Sequence, residues 1–320
     1  MFARIIKKIK RGIANKRYGE YPHIIPQKIL GNEKFIALDI GAAIGIPSHW
    51  SEILNFGFIY GFEPNQSSAK ELQNKYDPKH YKVIQEALSQ KGGMQKIYLT
   101  NIPTGSSLLE PNMTYKYVIP NYFMPWKEEF IQTKIAEEVL KNYKINNVDS
   151  VKIDTQGTEL EILMSFGPKY LNKILSVEFE AGIPGAYNNQ MSFFETHQFM
   201  VKNNFELFDL KPARANIYLE NGLPYKNTHT VTPKIHEVDV LYFKNLEYLL
   251  NNKDKSKLKK LIISYCVYSF FDEAYLAAKE AYDVEFFSKQ ELISIQQAIT
   301  DWHDNKSHFT NHWFNYSTKY

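Results

Sequence analysis

The sequence predicts an α/β protein in which a mostly parallel sheet is closed by an antiparallel hairpin and followed by a helical C-terminal appendage. Three observations predict it. From about residue 34, short apolar runs alternate with stretches of helical period, as βαβ units require. Two later runs, FELFDL (205–210) and VDVLYFK (238–244), follow one another with no convincing helix between them, so they should pair antiparallel. Beyond Asn245 the texture turns helical. Taken in order, the parallel strands are FIALDI (35–40), FIYGFE (58–63), KVIQEAL (82–88), SVKID (150–154) and ILSVEFE (174–180). Helices are expected over 48–54, 67–76, 135–143, 158–164 and 192–203. In the appendage they cover 258–270 and 272–282, and a third follows the capping box Ser288-x-x-Glu291. The stretch 102–130 is rich in proline and aromatic residues and has neither period; loops of that length inside a compact domain are usually functional lids. The chain therefore divides into a leader (1–20), a main domain (21–245) and the appendage (246–320).

With 320 residues, 44% of them apolar and 23% charged, the chain can bury a large core, and no apolar run reaches membrane-spanning length. A single cysteine, Cys266, excludes an internal disulfide framework and a cysteine-rich metal site, and fits a reducing, cytoplasmic compartment. The net charge of +3 conceals an asymmetry: residues 1–17 carry seven bases and no acid, so the remainder sums to −4. In that leader Phe2, Ile5, Ile6, Ile9 and Ile13 share one helical face and the bases fill the other, with no continuous apolar core such as a signal peptide has. Such a helix can pack on the body, lie on an anionic membrane or touch nucleic acid. At about 1 kcal/mol per Lys or Arg beside an anionic leaflet, the membrane attraction is bounded at about 7 kcal/mol. A peripheral position at the inner face of the membrane is one expectation, and the acidic body makes nucleic acid the weaker partner.

The first strand runs into Asp39-Ile40-Gly41-Ala42-Ala43-Ile44-Gly45-Ile46-Pro47, where small residues admit a ligand to the backbone and Pro47 suits the first turn of a helix. The glycines are spaced G-x-x-x-G, not the G-x-G-x-x-G of a pyrophosphate cradle, which disfavours a nicotinamide dinucleotide. S-adenosylmethionine has no phosphate; its ammonium is attracted by an acid such as Asp39. The second strand ends in Gly61-Phe62-Glu63-Pro64, and a carboxylate there can accept from both hydroxyls of a ribose. Asp154 closes the fourth strand, at the edge on which open α/β sheets bind ligands. Lys152, two residues earlier on the same face of a buried strand, needs an acidic partner. Glu178 and Glu180 bring two more carboxylates to that edge. Asp154 and Glu180 are the candidate general bases. The same acids could instead hold a divalent metal, although their spacing has no regular ligand pattern.

These residues resemble the FkbM-type S-adenosylmethionine-dependent methyltransferases. The likeness lies in Asp39-Ile40-Gly41-Ala42 with Gly45, in Phe62-Glu63-Pro64, in the Ala87-Leu88-Ser89 turn and in Lys152-Ile153-Asp154-x-x-Gly157-x-Glu159. It continues through Glu180, Tyr187, the helix to Phe205 and Glu237-Val238-Asp239-Val240-Leu241, covering about residues 30–245. The resemblance implies a class I methyltransferase (Rossmann-like) fold. It implies Asp39, Gly41, Ala42 and Gly45 around the methionine end of the cofactor, and Glu63 with Pro64 at the ribose. Ala87 would lie by the adenine and Asp154 would face the methyl group. It also implies O-methylation, often of hydroxyls on sugars or polyketide-type products. On the reading of the residues themselves, Asp154, Glu180 and Lys152 are the candidate catalytic set.

Several readings remain open. Ser106, Ser107, Tyr115, Tyr117, Tyr122, Phe123 and Trp126 interleave hydroxyls with flat rings, which suits a sugar or glycan acceptor and equally suits a buried lid. His229 and His236 precede the last strand, and His308 and His312 have the i, i+4 spacing of a helical metal pair without a third ligand in register. RNA ribose 2′-O-methylation and a non-catalytic binding module are the competing functions. Tyr265, Tyr268, Phe270 and Phe271 could pack internally or meet a second copy in a homo-oligomer.

Overall fold

The computed structural model describes residues 21–115, 117, 124–183, 185–217 and 232–306. The basic leader, Tyr122, Phe123, His229, His308 and His312 lie outside the described residues. The strands are β1 (Phe35–Ile40), β2 (Gly57–Phe62), β3 (Tyr81–Ile84), β4 (Ala87–Leu88), β5 (Gly93–Thr100), β6 (Pro125–Lys134), β7 (Ser150–Ile153), β8 (Ser176–Gly182), β9 (Phe205–Ala215) and β10 (Lys234–Lys244). Seven of them form one sheet in the order β3-β2-β1-β7-β8-β10-β9. β2 pairs with β3, β1 with β7 and β7 with β8 in parallel. β10 returns antiparallel between β8 and β9, which is the expected closing hairpin. Connections from β1 lead to β2 and β3 on one side, while β7 lies on the other. The carboxyl ends of β1 and β7 thus flank a topological switch, where sheets of this kind open a ligand crevice.

Because both faces of these strands are covered, their sequences are near-continuous apolar runs rather than alternating ones. Leu38, Ile40, Val151, Ile153, Val177, Phe179, Val238 and Val240 are buried in a single cluster. Into this core the register sets one polar rung, Asp39 opposite Lys152 and Lys152 opposite Glu178. The expected helices appear at Gln66–Lys75, Ala136–Asn142, Glu159–Met164 and Phe193–Lys202. The last starts with a capping box between Ser192 and Glu195.

Three expectations are corrected. The run 82–88 is not one strand: β3 ends at Ile84, and β4 joins a separate three-stranded sheet ordered β4-β6-β5. The stretch 102–130 is not one aperiodic loop. A 3₁₀ turn covers Pro103–Gly105, Ser107 bridges to Tyr98, Pro111 bridges to Tyr187, and β6 begins at Pro125. Finally, 48–54 is not a single helix. Pro47 sits outside a 3₁₀ turn (Ser48–Trp50) in extended conformation, and only Ile53–Phe56 follows as α-helix.

The chain forms two compact units, one of residues 36–46 and 59–248, which carries most of the strands above. The other gathers 21–35, 47–58 and the chain from Leu249. Within it, helices Tyr21–Leu30, Lys255–Val267, Phe271–Asp283 and Lys289–Lys306 pack together. Ala274, Ala277, Ala278 and Ala281 make one buried stripe at helical spacing, and small side chains there let neighbouring helices approach closely. Tyr265 and Tyr268 are buried inside this unit, and the Trp50 indole donates to the Tyr268 hydroxyl at 3.0 Å. The buried Lys306 ammonium donates to the carbonyls of Cys266 and Val267, the last turn of its neighbouring helix. Cys266 is buried, and burial pushes its thiol up, away from the reactive thiolate.

Candidate active site

The turn after β1 is shaped by what its glycines leave out. Gly41 has φ +82°, and a Cβ there would lie 1.9 Å from the Asp154 carbonyl oxygen. Only glycine lets the carboxyl ends of β1 and β7 come this close. The amides of Gly41 and Ala42 both donate to the Phe62 carbonyl, binding the turn to the end of β2. Gly45 has φ +92°, and a Cβ there would meet the Tyr76 hydroxyl at 2.6 Å. The same hydroxyl accepts from the Ile46 amide. Ile44 points out, 72% exposed.

Asp39 is wholly buried, and neither carboxylate oxygen has a hydrogen-bond partner among the described residues. Its nearest cation is Lys152 at 3.8 Å. Burial pushes its carboxyl up to about 6, opposed by Lys152. Nearby, the fully buried Tyr81 hydroxyl is also unpartnered among the described residues, and Gly61 leaves the space it occupies. Native proteins rarely leave such groups unsatisfied, so these orphans mark a ligand's place. Glu63, at the end of β2, is buried and accepts from the Asn65 amide at 2.8 Å. Burial raises its carboxyl despite that bond. Asn65 in turn caps the helix from Gln66, and Pro64 is exposed between them.

Lys152 has the partners its position demanded: Asp154 at 3.2 Å and Asp39 at 3.8 Å. Burial alone would lower its ammonium, but Asp39, Asp154 and Glu178 outweigh burial and raise it, so Lys152 is a fixed cation rather than a proton acceptor. The Asp154 carboxylate is held at both ends. Lys152 donates to Oδ2 and the Gln156 amide to Oδ1, each at 3.2 Å. The turn beyond it is clamped by the buried Glu159, which accepts from the amides of Thr155 and Gly157. Burial carries Glu159 up to about 7 against the pull of those bonds.

Glu180 sits opposite Asp239 in the β8/β10 register, and Glu237 precedes Asp239 by two residues on the same face. Burial first, then Glu237, Asp154 and Asp239, hold Glu180 well above the usual carboxylate range. Glu237 is pushed up to about 7 and Asp239 to about 6, chiefly by burial. Lys211, opposite Asp239 on β9, supplies a cation whose own charge burial weakens. The edge is therefore strongly acidic. Groups of this kind share protons near neutral pH and attract a cationic ligand.

Of the residues expected from sequence, Asp39, Gly41, Ala42, Gly45, Glu63, Lys152, Asp154 and Glu180 occupy the carboxyl edge of one sheet. Ala87 is instead in the second sheet, opposite Thr133. Glu237, Asp239, Gln156 and Lys211 carry no role in the sequence reading; the i, i+2 acids in HEVDVL were the available signal. The serines of the 102–130 stretch serve the backbone. Ser107 is buried and donates to the Gln156 carbonyl at 2.6 Å, and Ser106 accepts from the Thr100 amide. The Tyr115 and Tyr117 rings lie 5.4 Å apart, tilted at 53°, and Trp126 is 64% exposed. His236 is partly buried, which lowers its pKa. Among the described residues no group of three His, Cys, Asp or Glu side chains could hold a metal ion.

A glycine-bounded turn after β1, an orphaned acid beneath it and an acid closing β2 fit the methionine and ribose ends of S-adenosylmethionine. They define a class I S-adenosylmethionine-dependent methyltransferase. Residues 39–207 match the methyltransferase FkbM domain, more than half of the chain, and the protein belongs to that family. No curated protein matches it in sequence. Among solved structures it is similar to TrmK of M. capricolum in complex with S-adenosyl-homocysteine, at 12% identity and TM-score 0.35 over 88% of this chain and 96% of that one. It is also similar to magnesium protoporphyrin IX methyltransferase of Synechocystis PCC 6803 with bound SAM, at 10% identity and TM-score 0.33 over 69% and 76%. A third likeness is precorrin-6y C5,15-methyltransferase of Geobacter metallireducens, at 12% identity and TM-score 0.33 over 69% and 86%. The family assignment rests on the domain match.

Proposed function

We infer that this methyltransferase acts on a hydroxyl of a sugar or glycan, a cell-surface saccharide or its precursor. The bound cofactor supplies an already activated methyl group. The protein's task is then to align an acceptor oxygen and take its proton. Asp154, fixed at both oxygens, is suited to orient the hydroxyl, and Glu180, whose proton affinity is raised by burial and its acidic neighbours, is suited to accept the proton. The observation that carries the reading is the acid-lined edge of Asp154, Glu180, Glu237 and Asp239. It favours a neutral polyol and repels a phosphate chain, which weighs against RNA. The exposed Trp126 and the Tyr115–Tyr117 pair add apolar faces of the kind that stack on sugar rings. Methyl transfer from labelled cofactor into a panel of sugars, nucleotide sugars, glycolipids and RNA tests it. Label is expected in a saccharide; label in RNA alone would overturn the reading.

No described helix is long and apolar enough to cross a membrane. The seven bases of residues 1–17 support a peripheral position on an anionic leaflet. Deleting 1–17 should abolish sedimentation with phosphatidylserine-containing liposomes and spare turnover on a soluble acceptor. Undiminished sedimentation of the truncated chain would place membrane binding elsewhere.

A further inference from the structure

We propose that Gln156 and Tyr187 are positioning residues that tie the lid segment 101–115 to the Asp154 carboxylate. The Tyr187 hydroxyl lies 3.0 Å from the Gly105 carbonyl of the lid and 2.9 Å from Gln156 Oε1, so its single hydrogen serves two acceptors. The other end of the same amide, Gln156 Nε2, donates to Asp154 Oδ1. This fixes the amide's orientation: turned over, its carbonyl would face the carboxylate and its NH₂ the tyrosine hydrogen. Lid, tyrosine, glutamine and Asp154 thus form one hydrogen-bonded line.

The line is anchored along its length. Ser107 of the lid donates to the Gln156 backbone carbonyl, and the backbone amides of Asn112 and Asn188 donate to the carbonyls of Ala186 and Glu110 respectively. Gln156 itself is held at φ +60°, a conformation that costs a non-glycine residue about 1 kcal/mol or more and persists only where its surroundings enforce it. Gly157 follows at φ +102°, with the Tyr187 ring 3.0 Å from where a Cβ would be. The strained turn therefore aims the glutamine amide at Asp154 and its oxygen at Tyr187. Asp154 otherwise meets Lys152 and the field of Asp39, Glu159, Glu180, Glu237 and Asp239. Gln156 is its neutral donor among them. A lid displaced by an entering acceptor would shift the tyrosine hydrogen, and with it the grip on Oδ1.

The proposal rests on Asp154 serving the reaction, and its test separates the two. Tyr187→Phe should speed hydrogen exchange of the 105–112 amides about tenfold in the full-length protein, as the loss of one buried hydrogen bond does. Gln156→Glu keeps an acceptor for Tyr187 but replaces the donor to Asp154 with a like charge. Its lid exchange should match the parent, while the ¹³C resonance of the Asp154 carboxyl, whose Oδ1 loses its donor, shifts from the parent position. On an acceptor hydroxyl that the enzyme methylates, both variants should lower kcat with cofactor Kd unchanged. Parent-like exchange in Tyr187→Phe, or an unmoved Asp154 carboxyl resonance in Gln156→Glu, overturns the proposal whether or not an acceptor is known. If both physical shifts appear but Asp154→Asn keeps full turnover, the coupling stands and the catalytic reading of Asp154 falls.

Discussion

Asp154→Asn is expected to cut turnover by about 10²-fold or more while leaving S-adenosylmethionine affinity within several-fold. The asymmetry follows from the geometry. Asp39, Glu63 and the turn between Gly41 and Gly45 are the groups expected to hold the cofactor, and none depends on the charge of Asp154 for its position. The acceptor's side does. Both oxygens of Asp154 accept from donors, Lys152 and Gln156, so an asparagine must turn its NH₂ toward one of them. The amide loses the negative charge and the alignment together. Glu180→Gln is the informative companion, because burial and four neighbouring acids already hold Glu180 high. If Glu180 takes the proton and Asp154 aligns the hydroxyl, Glu180→Gln flattens the pH dependence of kcat, whereas Asp154→Asn lowers kcat at every pH. Single-turnover kinetics and calorimetry with S-adenosylhomocysteine measure the two quantities. Full activity of Asp154→Asn would remove it from the mechanism.

The main sheet was legible because its strands are buried on both faces and so write themselves as apolar runs ending in an acid. Asp39, Glu63 and Asp154 stand out for the same reason: each is an acid at or beside the end of such a run, and the one charge ahead of any of them is Lys152. The second sheet had no such signature. β4 has two residues, and β6, PWKEEFIQTK, is largely exposed, so no buried face imposes an alternation to read. What looked like a 29-residue lid was therefore a shorter lid plus the start of a strand. Glu237 and Asp239 were hidden differently. Alternating acids in a late strand read as an ordinary solvent face, and only the register that sets Asp239 against Glu180 turns that face inward to the site. Gln156 acquires its role through a left-handed turn and a tyrosine 31 residues away, neither of which a local pattern encodes.

Asp39→Asn should make the cofactor-free protein more stable at pH 8 and a poorer binder. Burial raises the Asp39 carboxyl from 3.8 to about 6, so the folded state is penalised for ionising it. The sign is fixed by linkage: the penalty is absent below 3.8, grows between 3.8 and about 6, and is complete above. That displacement corresponds to about 3 kcal/mol, an upper bound on the gain. Lys152 gives some of it back when one of its two carboxylates becomes an amide, although Asp154 remains at 3.2 Å. Melting temperature should therefore rise by several degrees at pH 8 and converge with the parent near pH 4. Neither Asp39 oxygen has a hydrogen-bond partner among the described residues, and a cationic ligand would supply one, so the same substitution should weaken S-adenosylmethionine binding about 10- to 100-fold, the worth of one charge-assisted hydrogen bond. Thermal melts at the two pH values and calorimetry decide it. A variant that melts lower than the parent at pH 8 would mean that the Lys152 pair outweighs burial, and unchanged affinity would place the cofactor's ammonium away from Asp39.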